Sequence, residues 1–224
     1  MAGTIVLVGG INDPGMLAAG WRRGLRWAGL LHRIEGFAWQ QGWRATLTFA
    51  DLWRTAHHRR KAAELADRLR GAEPPVHVIG HSAGTAIIAY ALECFAPADA
   101  VTSAVFVGSG LSPGYDLGPV LARCRYGLLA IDSPLDWWTL GVGTTLLGTC
   151  DRRHGPAAGM VGFRRAVGGK YRRLRWSPRL VRQGWLGGHT SERSPWLAQH
   201  TLAAWVRQAD AFDSAGAGSA SSSG

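Results

Sequence analysis

Apolar and polar positions along this chain change period repeatedly. Thr4–Val8 is a short apolar run rich in β-branched residues, which predicts a buried strand. From Gly15 to His32, Leu17, Trp21, Leu25 and Ala28 recur at helical spacing. Arg44–Phe49 reads as a second strand. Thr55 to Arg70 reads as an amphipathic helix, with Ala62, Leu65, Ala66 and Leu69 on one face and Arg59, Arg60, Lys61 and Arg68 elsewhere. Pro74-Pro75 interrupts the pattern. Val76–Ile79 is then a third strand, Ala83 to Phe95 a helix, Val101–Val107 a fourth strand and Tyr126–Ile131 a fifth. Trp137 to Leu147 reads as helix, the Arg-rich run Lys170–Trp176 as a sixth strand and Trp196 to Phe212 as the last helix.

Strands separated by helices over short connections imply an α/β fold, a mostly parallel sheet with helices on both faces. No repeat or internal linker divides residues 1–212, which read as one domain. Residues 213–224, only Ser, Ala and Gly from Ser214 onward, read as a flexible tail. At 224 residues and 46% hydrophobic, with 11 Trp, the chain has ample material for one core, which excludes global disorder. No apolar run approaches the roughly 20 residues a membrane span needs. The first residues lack the basic region, apolar helix and cleavage site of a secretory leader. Cys94, Cys124 and Cys150 fit no zinc or redox spacing and read as reduced thiols of a cytoplasmic protein.

Charge alters this picture by its placement. The formal net charge is +10, and all of it lies between Arg152 and Arg193, where Glu192 is the one acid among eleven basic residues. An Arg-rich composition can simply record a GC-rich genome. Clustering of this kind offers contact with an anionic surface. Tyr171 and Trp176 among the arginines suggest base stacking, but no nucleic-acid motif accompanies them, so no nucleic acid is expected as a partner.

The chemistry centres on Val76-His77-Val78-Ile79-Gly80-His81-Ser82-Ala83-Gly84. It matches Gly-x-Ser-x-Gly between a buried strand and an apolar helix. There a sharp turn would present the serine hydroxyl at the sheet's edge, and Gly80 and Gly84 would let the two backbones pass closely. A Gly-rich turn without chemistry could carry the same five residues; the strand before and helix after argue for the functional reading. In this stretch the chain resembles the α/β-hydrolase family, the serine esterases and lipases among them, and the resemblance extends over residues 1 to about 212.

That resemblance implies a nucleophile, an acid and a histidine, in that order along the chain. Ser82 is the implied nucleophile. Two aspartates follow the fifth strand, Asp132 and Asp136. In the family the acid commonly lies several residues past the strand, which favours Asp136. Asp132, at the strand end, would cap the Ser133-Pro134 turn, and Asp151 is a distant third. His189, in Gly187-Gly188-His189-Thr190-Ser191 before the last helix, is the implied base. His57 and His58 read as exposed on a basic helix, and His81 as pointing elsewhere. The oxyanion donors would be the backbone N–H of Ala83 and one from Gly9-Gly10-Ile11, with Ile11 preferred and Gly10 its neighbour. The glycine pair lacks a nucleotide-loop spacing, and the implied chemistry needs neither metal nor organic cofactor.

Only 17 residues, Ser109 to Arg125, separate the fourth and fifth strands, too few for a cap domain. Leu111, Leu117, Trp137 and Trp138 are candidate pocket walls, and Cys150 to Gly169 is expected to fold over the acid loop. The resemblance thus implies carboxylic-ester hydrolysis of a small-molecule or lipid substrate. Amide or thioester hydrolysis would use the same residues. The competing expectation is a hydrolase-like binding module of little activity, docking on anionic partners through Arg152–Arg193.

Overall fold

Among the described residues six strands form one sheet, in the order β2-β1-β3-β4-β5-β6 and all parallel. They are β1 Thr4–Val8, β2 Arg33–Phe37, β3 Val76–His81, β4 Val101–Val107, β5 Cys124–Asp132 and β6 Tyr171–Arg175. The computed structural model describes residues 3–13, 15–40, 54–164 and 168–221. Arg44–Phe49, expected as a strand, lies outside the described residues. The second strand among the described residues is Arg33–Phe37, which becomes possible because the first helix, α1 Met16–Trp27, stops early. Gly29, at φ +77°, adopts the left-handed conformation that ends helices. The chain then turns back to pair Ile34 beside Ile5.

Residues alternate between the two faces of the sheet. Val6, Val78, Ala104, Phe106 and Leu128 pack under α2 Thr55–Arg70 and α3 Gly84–Glu93. Ile5, Leu7, Ile79, Val105 and Ile131 pack against α1 and the last helix. That helix begins at Pro195–Leu197, passes through a π-helical turn at Ala198–Leu202 and continues as Ala203–Ser221. The expected tail therefore begins as helix. Asp213 holds it to the sheet by accepting hydrogen bonds from Arg125 (2.8 Å) and Thr102 (3.4 Å). Among the described residues no helix is long and apolar enough to cross a membrane.

The basic residues of α2 misled the sequence reading. His57 and His58 are both buried, His57 Nε2 lying 2.6 Å from the Trp39 carbonyl and the His58 ring edge-on to Trp39. Strand β6, at one edge of the sheet, carries Arg172, Arg173 and Arg175. Charges in such a place discourage pairing with another sheet, a structural reason for part of the cationic cluster.

Strand order fixes where a site can form. From β1 the chain moves outward to β2, returns to β3 on the other side of β1, and proceeds through β4, β5 and β6. The carboxyl ends of β1 and β3 are thus the point where the winding reverses, the usual ligand crevice of an open parallel sheet. Val8 lies beside Gly80 in the register, so the loops following both strands emerge together.

Candidate active site

Ser82 follows β3 at φ +54°, a left-handed backbone conformation that is costly for a residue with a Cβ. The turn is held by its neighbours. Ser82 N–H donates to the Val107 carbonyl (3.0 Å), and its own carbonyl accepts from Gly110 N–H (3.1 Å) and Thr85 Oγ1 (2.7 Å). A Cβ on Gly84 would run into the carbonyl oxygens of Val8 and Gly9. One on Gly80 would lie 3.2 Å from the backbone of Thr85. Both glycines are therefore dictated by packing, and they force the hydroxyl outward.

Three side chains from separate loops meet there. His189 Nε2 is 3.0 Å from Ser82 Oγ, and His189 Nδ1 is 2.5 Å from Asp136 Oδ2. Asp136 is buried and sits in a turn, its N–H donating to the Ser133 carbonyl (3.2 Å). The segment after Cys150 packs on this loop as expected: Ser133 N–H donates to the Gly159 carbonyl (2.9 Å), and Ala157 N–H to the Leu140 carbonyl (2.7 Å). Asp132 is engaged elsewhere. It is buried and accepts two hydrogen bonds from Arg173, at 2.6 Å from Nε and 2.8 Å from Nη2. This ion pair, rather than a cap on the Ser133-Pro134 turn, is its observed role. Asp151 likewise serves the loop, accepting from Ser112 and Thr149.

The residues expected to supply oxyanion donors lie on loops around the serine. The Gly10 carbonyl is tied back by Gln40 Nε2 (2.6 Å), and the Gly9 carbonyl by Trp39 Nε1 (2.7 Å). In a trans peptide the following N–H points opposite to the carbonyl, so the Ile11 N–H is turned away from Gln40. The same relation turns the Ala83 N–H away from Gly110 and Thr85. Ile11, Ala83 and Gly10 all line the cavity around Ser82. A Cβ on Gly10 would stand 2.9 Å from Ser82 Cβ, so the glycine permits this approach.

The cavity measures about 550 Å³. Its walls include Ile11, Trp138, Leu140, Val142, Leu146 and Leu147. Most of these come from the π-helical turn Trp138–Gly143 and the short helix α4 Thr144–Leu147 that follows it. Of the walls expected from the sequence, Trp138 takes part. Leu111 and Leu117 are fully buried in the core instead, because the Ser109–Arg125 segment packs inward against α3. Trp137 is exposed beside the cavity without lining it. Cys150 also lines the cavity, but burial pushes its thiol up to about 12, so it stays protonated and a poor nucleophile.

Two residues at the site went unrecognised in the sequence. His81 does not point elsewhere: its ring lies against that of His189, centroids 4.6 Å apart and planes tilted by 39°. Glu192, fully buried, lies 3.0 Å from His81 Nε2 and 4.0 Å from His189 Nδ1. Burial pushes the Glu192 carboxyl well above the usual carboxylate range, and the charges of Asp136 and Asp132 add to the effect. Burial likewise holds His81 well below its ordinary value. The signal that could have found Glu192 is its isolation as the one acid between Arg152 and Arg193. Among the described residues two groups of side chains are close enough to share an ion, His81, His189 and Glu192 here, and His32, His77 and Asp210 elsewhere. In the second group, burial opposes ionisation of Asp210 but is outweighed by the two imidazoles, His77 Nε2 at 3.0 Å and His32 Nε2 at 3.4 Å, which hold its carboxyl well below the usual range.

No family model and no curated protein matches this chain. Solved structures do. A protein of Xanthomonas campestris pv. campestris, provisionally described as a hydrolase of the alpha/beta superfamily, superposes with a TM-score of 0.55 at 16% identity, over 92% of this chain and 99% of its own. A pyrethroid hydrolase gives a TM-score of 0.43 at 15% identity, over 95% and 98% of the two chains, a likeness too slight to carry weight. With its parallel sheet and elbow turn, the chain has the α/β-hydrolase fold.

Proposed function

We propose that this protein is a serine hydrolase that cleaves carboxylic esters through an acyl-enzyme. The observation that carries the reading is the unbroken chain from Ser82 Oγ through His189 to Asp136, with contacts of 3.0 and 2.5 Å, opening on an apolar cavity. In the proposed reaction His189 Nε2 takes the Ser82 proton as Oγ bonds to the acyl carbon. Asp136 orients the imidazole and balances the charge it gains. The N–H groups of Ala83 and Ile11 hold the oxyanion. The tetrahedral species collapses as His189 returns the proton to the departing alcohol. Water then attacks the acyl-enzyme by the same route and frees Ser82.

The aliphatic walls favour an ester whose acyl or alcohol part is apolar, since a charged group packed against them would lose its hydration. The fold hosts many chemistries, so the reading rests on the site and not on likeness. Labelling with a fluorophosphonate, which reacts with activated serines, tests it. Wild type should label and Ser82→Ala should not. An unlabelled wild type would refute the reading. A second reading, docking on anionic surfaces through Arg152–Arg193, draws on the exposure of Arg172, Arg175, Arg179 and Arg182. Arg173 is no longer free for that role, because Asp132 holds it.

A further inference from the structure

Asp136 is not the sole carboxylate at His189 Nδ1. Glu192 is carried three residues further along the same 3₁₀ turn, His189–Arg193, and its Oε2 lies 4.0 Å from that nitrogen. The surroundings hold the carboxylate there. Gly108, at φ +54°, supplies the space: a Cβ at this position would stand 2.8 Å from Glu192 Cδ. Trp21 Nε1 donates to the Glu192 backbone carbonyl (2.8 Å) and fixes the turn. His81 closes the group, with Nε2 3.0 Å from Glu192 Oε2 and 3.3 Å from the His189 carbonyl oxygen. Neither carboxylate oxygen has a well-formed hydrogen bond among the described residues. A carboxyl kept fully buried at such cost, against the back of the proposed base, calls for a reason.

We propose that Glu192 is a positioning residue for His189 and a reserve acid, able to pair with its imidazolium when Asp136 is lost. This rests on the hydrolase reading above. In the intact site Asp136 is bonded to Nδ1, and Glu192, crowded by Asp136 and Asp132, keeps its proton. Its packing, together with the His81 ring, limits rotation of the imidazole. Removing Asp136 changes both conditions. The like charge nearest Glu192 disappears, and the imidazolium formed as Ser82 attacks becomes its nearest opposite charge. Arg193, on the same turn, also favours the ionised form. Closing a gap of 4.0 Å to hydrogen-bond distance asks only for a small rotation of a ring whose other contacts persist.

The idea separates two substitutions that would otherwise be equivalent. Asparagine at 136 still fills the space and can donate its amide to Nδ1. That fixes the wrong tautomer and keeps Glu192 out. Alanine vacates the space. The experiment compares kcat and KM for a p-nitrophenyl ester in wild type, Asp136→Asn, Asp136→Ala and Asp136→Ala/Glu192→Gln. Loss of the orienting acid costs on the order of 10⁴ in kcat, which is expected of Asp136→Asn and of the double variant. Asp136→Ala should lose only about 10² with KM unchanged, because transition-state charge and not substrate binding is affected. Should the double variant fail to fold, the comparison of Asn with Ala decides alone. Equal losses in those two, or a double variant as active as Asp136→Ala, would overturn the proposal. A wild type that labels with fluorophosphonate while Asn and Ala behave alike overturns this proposal only. A wild type that neither labels nor turns over overturns the hydrolase reading and this proposal together.

Discussion

Replacing Asp132 by asparagine should weaken the fold and spare the chemistry, the reverse of the same change at Asp136. Asp132 ends β5, is 1% exposed, and receives a two-pronged contact from Arg173 of β6 at 2.6 and 2.8 Å. Its backbone carbonyl also accepts from Trp176 N–H (2.8 Å), so it anchors the middle and the carboxyl end of the edge strand. Removing one partner of a fully buried ion pair costs about 3–5 kcal/mol, mostly through the charge left behind. Here that charge is the Arg173 guanidinium, whose side chain is 34% exposed, so water recovers part of the loss. Asparagine also keeps one acceptor. The net cost is therefore about 2 kcal/mol, a fall in Tm of roughly 4–8 °C for a chain of this length. Thermal unfolding followed by circular dichroism measures it, with ester turnover recorded on the same preparations. Turnover should survive Asp132→Asn. If kcat falls by orders of magnitude while the Tm holds, Asp132 is the acid and the assignment to Asp136 is wrong.

Three further outcomes follow from the site and its surroundings. Leu140→Trp or Val142→Phe should fill part of the cavity and lower kcat/KM for long-chain p-nitrophenyl esters far more than for the acetate; an equal fall for all chain lengths would detach these walls from the substrate. Because folding raises the pKa of the Glu192 carboxyl, its contribution to stability is complete below the ordinary carboxylate value of about 4.3 and is lost as pH rises through the folded value. Glu192→Gln should therefore gain in Tm relative to wild type between pH 5 and pH 8, and a constant difference across that range would count against it. If the exposed arginines steer anionic esters, kcat/KM for those substrates must fall as salt shortens the Debye length from about 30 Å to about 8 Å, and Arg172→Glu/Arg175→Glu should abolish the dependence; salt-independent kinetics would leave the cluster as protection of a sheet edge.

What the sequence made legible was local. The strand, the Gly80-to-Gly84 turn and the helix after it are contiguous, so the strained geometry at Ser82 is written within a few residues. Asp136 and His189 could be proposed because each follows a recognisable strand or precedes a recognisable helix. Where partners lie far apart along the chain, the pattern was silent. Asp132 looked like a turn cap because Arg173 is 41 positions away. His81 looked idle because the ring that meets it is 108 positions on. Arg33–Phe37 has only Ile34 and Phe37 turned inward, with Gly36 between them, too weak an alternation to register as a strand. Leu111 and Leu117 were assigned to the pocket by their place in the connection, but only packing decides whether such a segment turns over a site or beneath it.

The central claim, that Ser82 carries out the chemistry, is tested most directly by ester turnover in purified, folded Ser82→Ala. The account predicts a fall in kcat on the order of 10⁴ or more with an unchanged circular dichroism spectrum. Near-normal hydrolysis by that variant would contradict it.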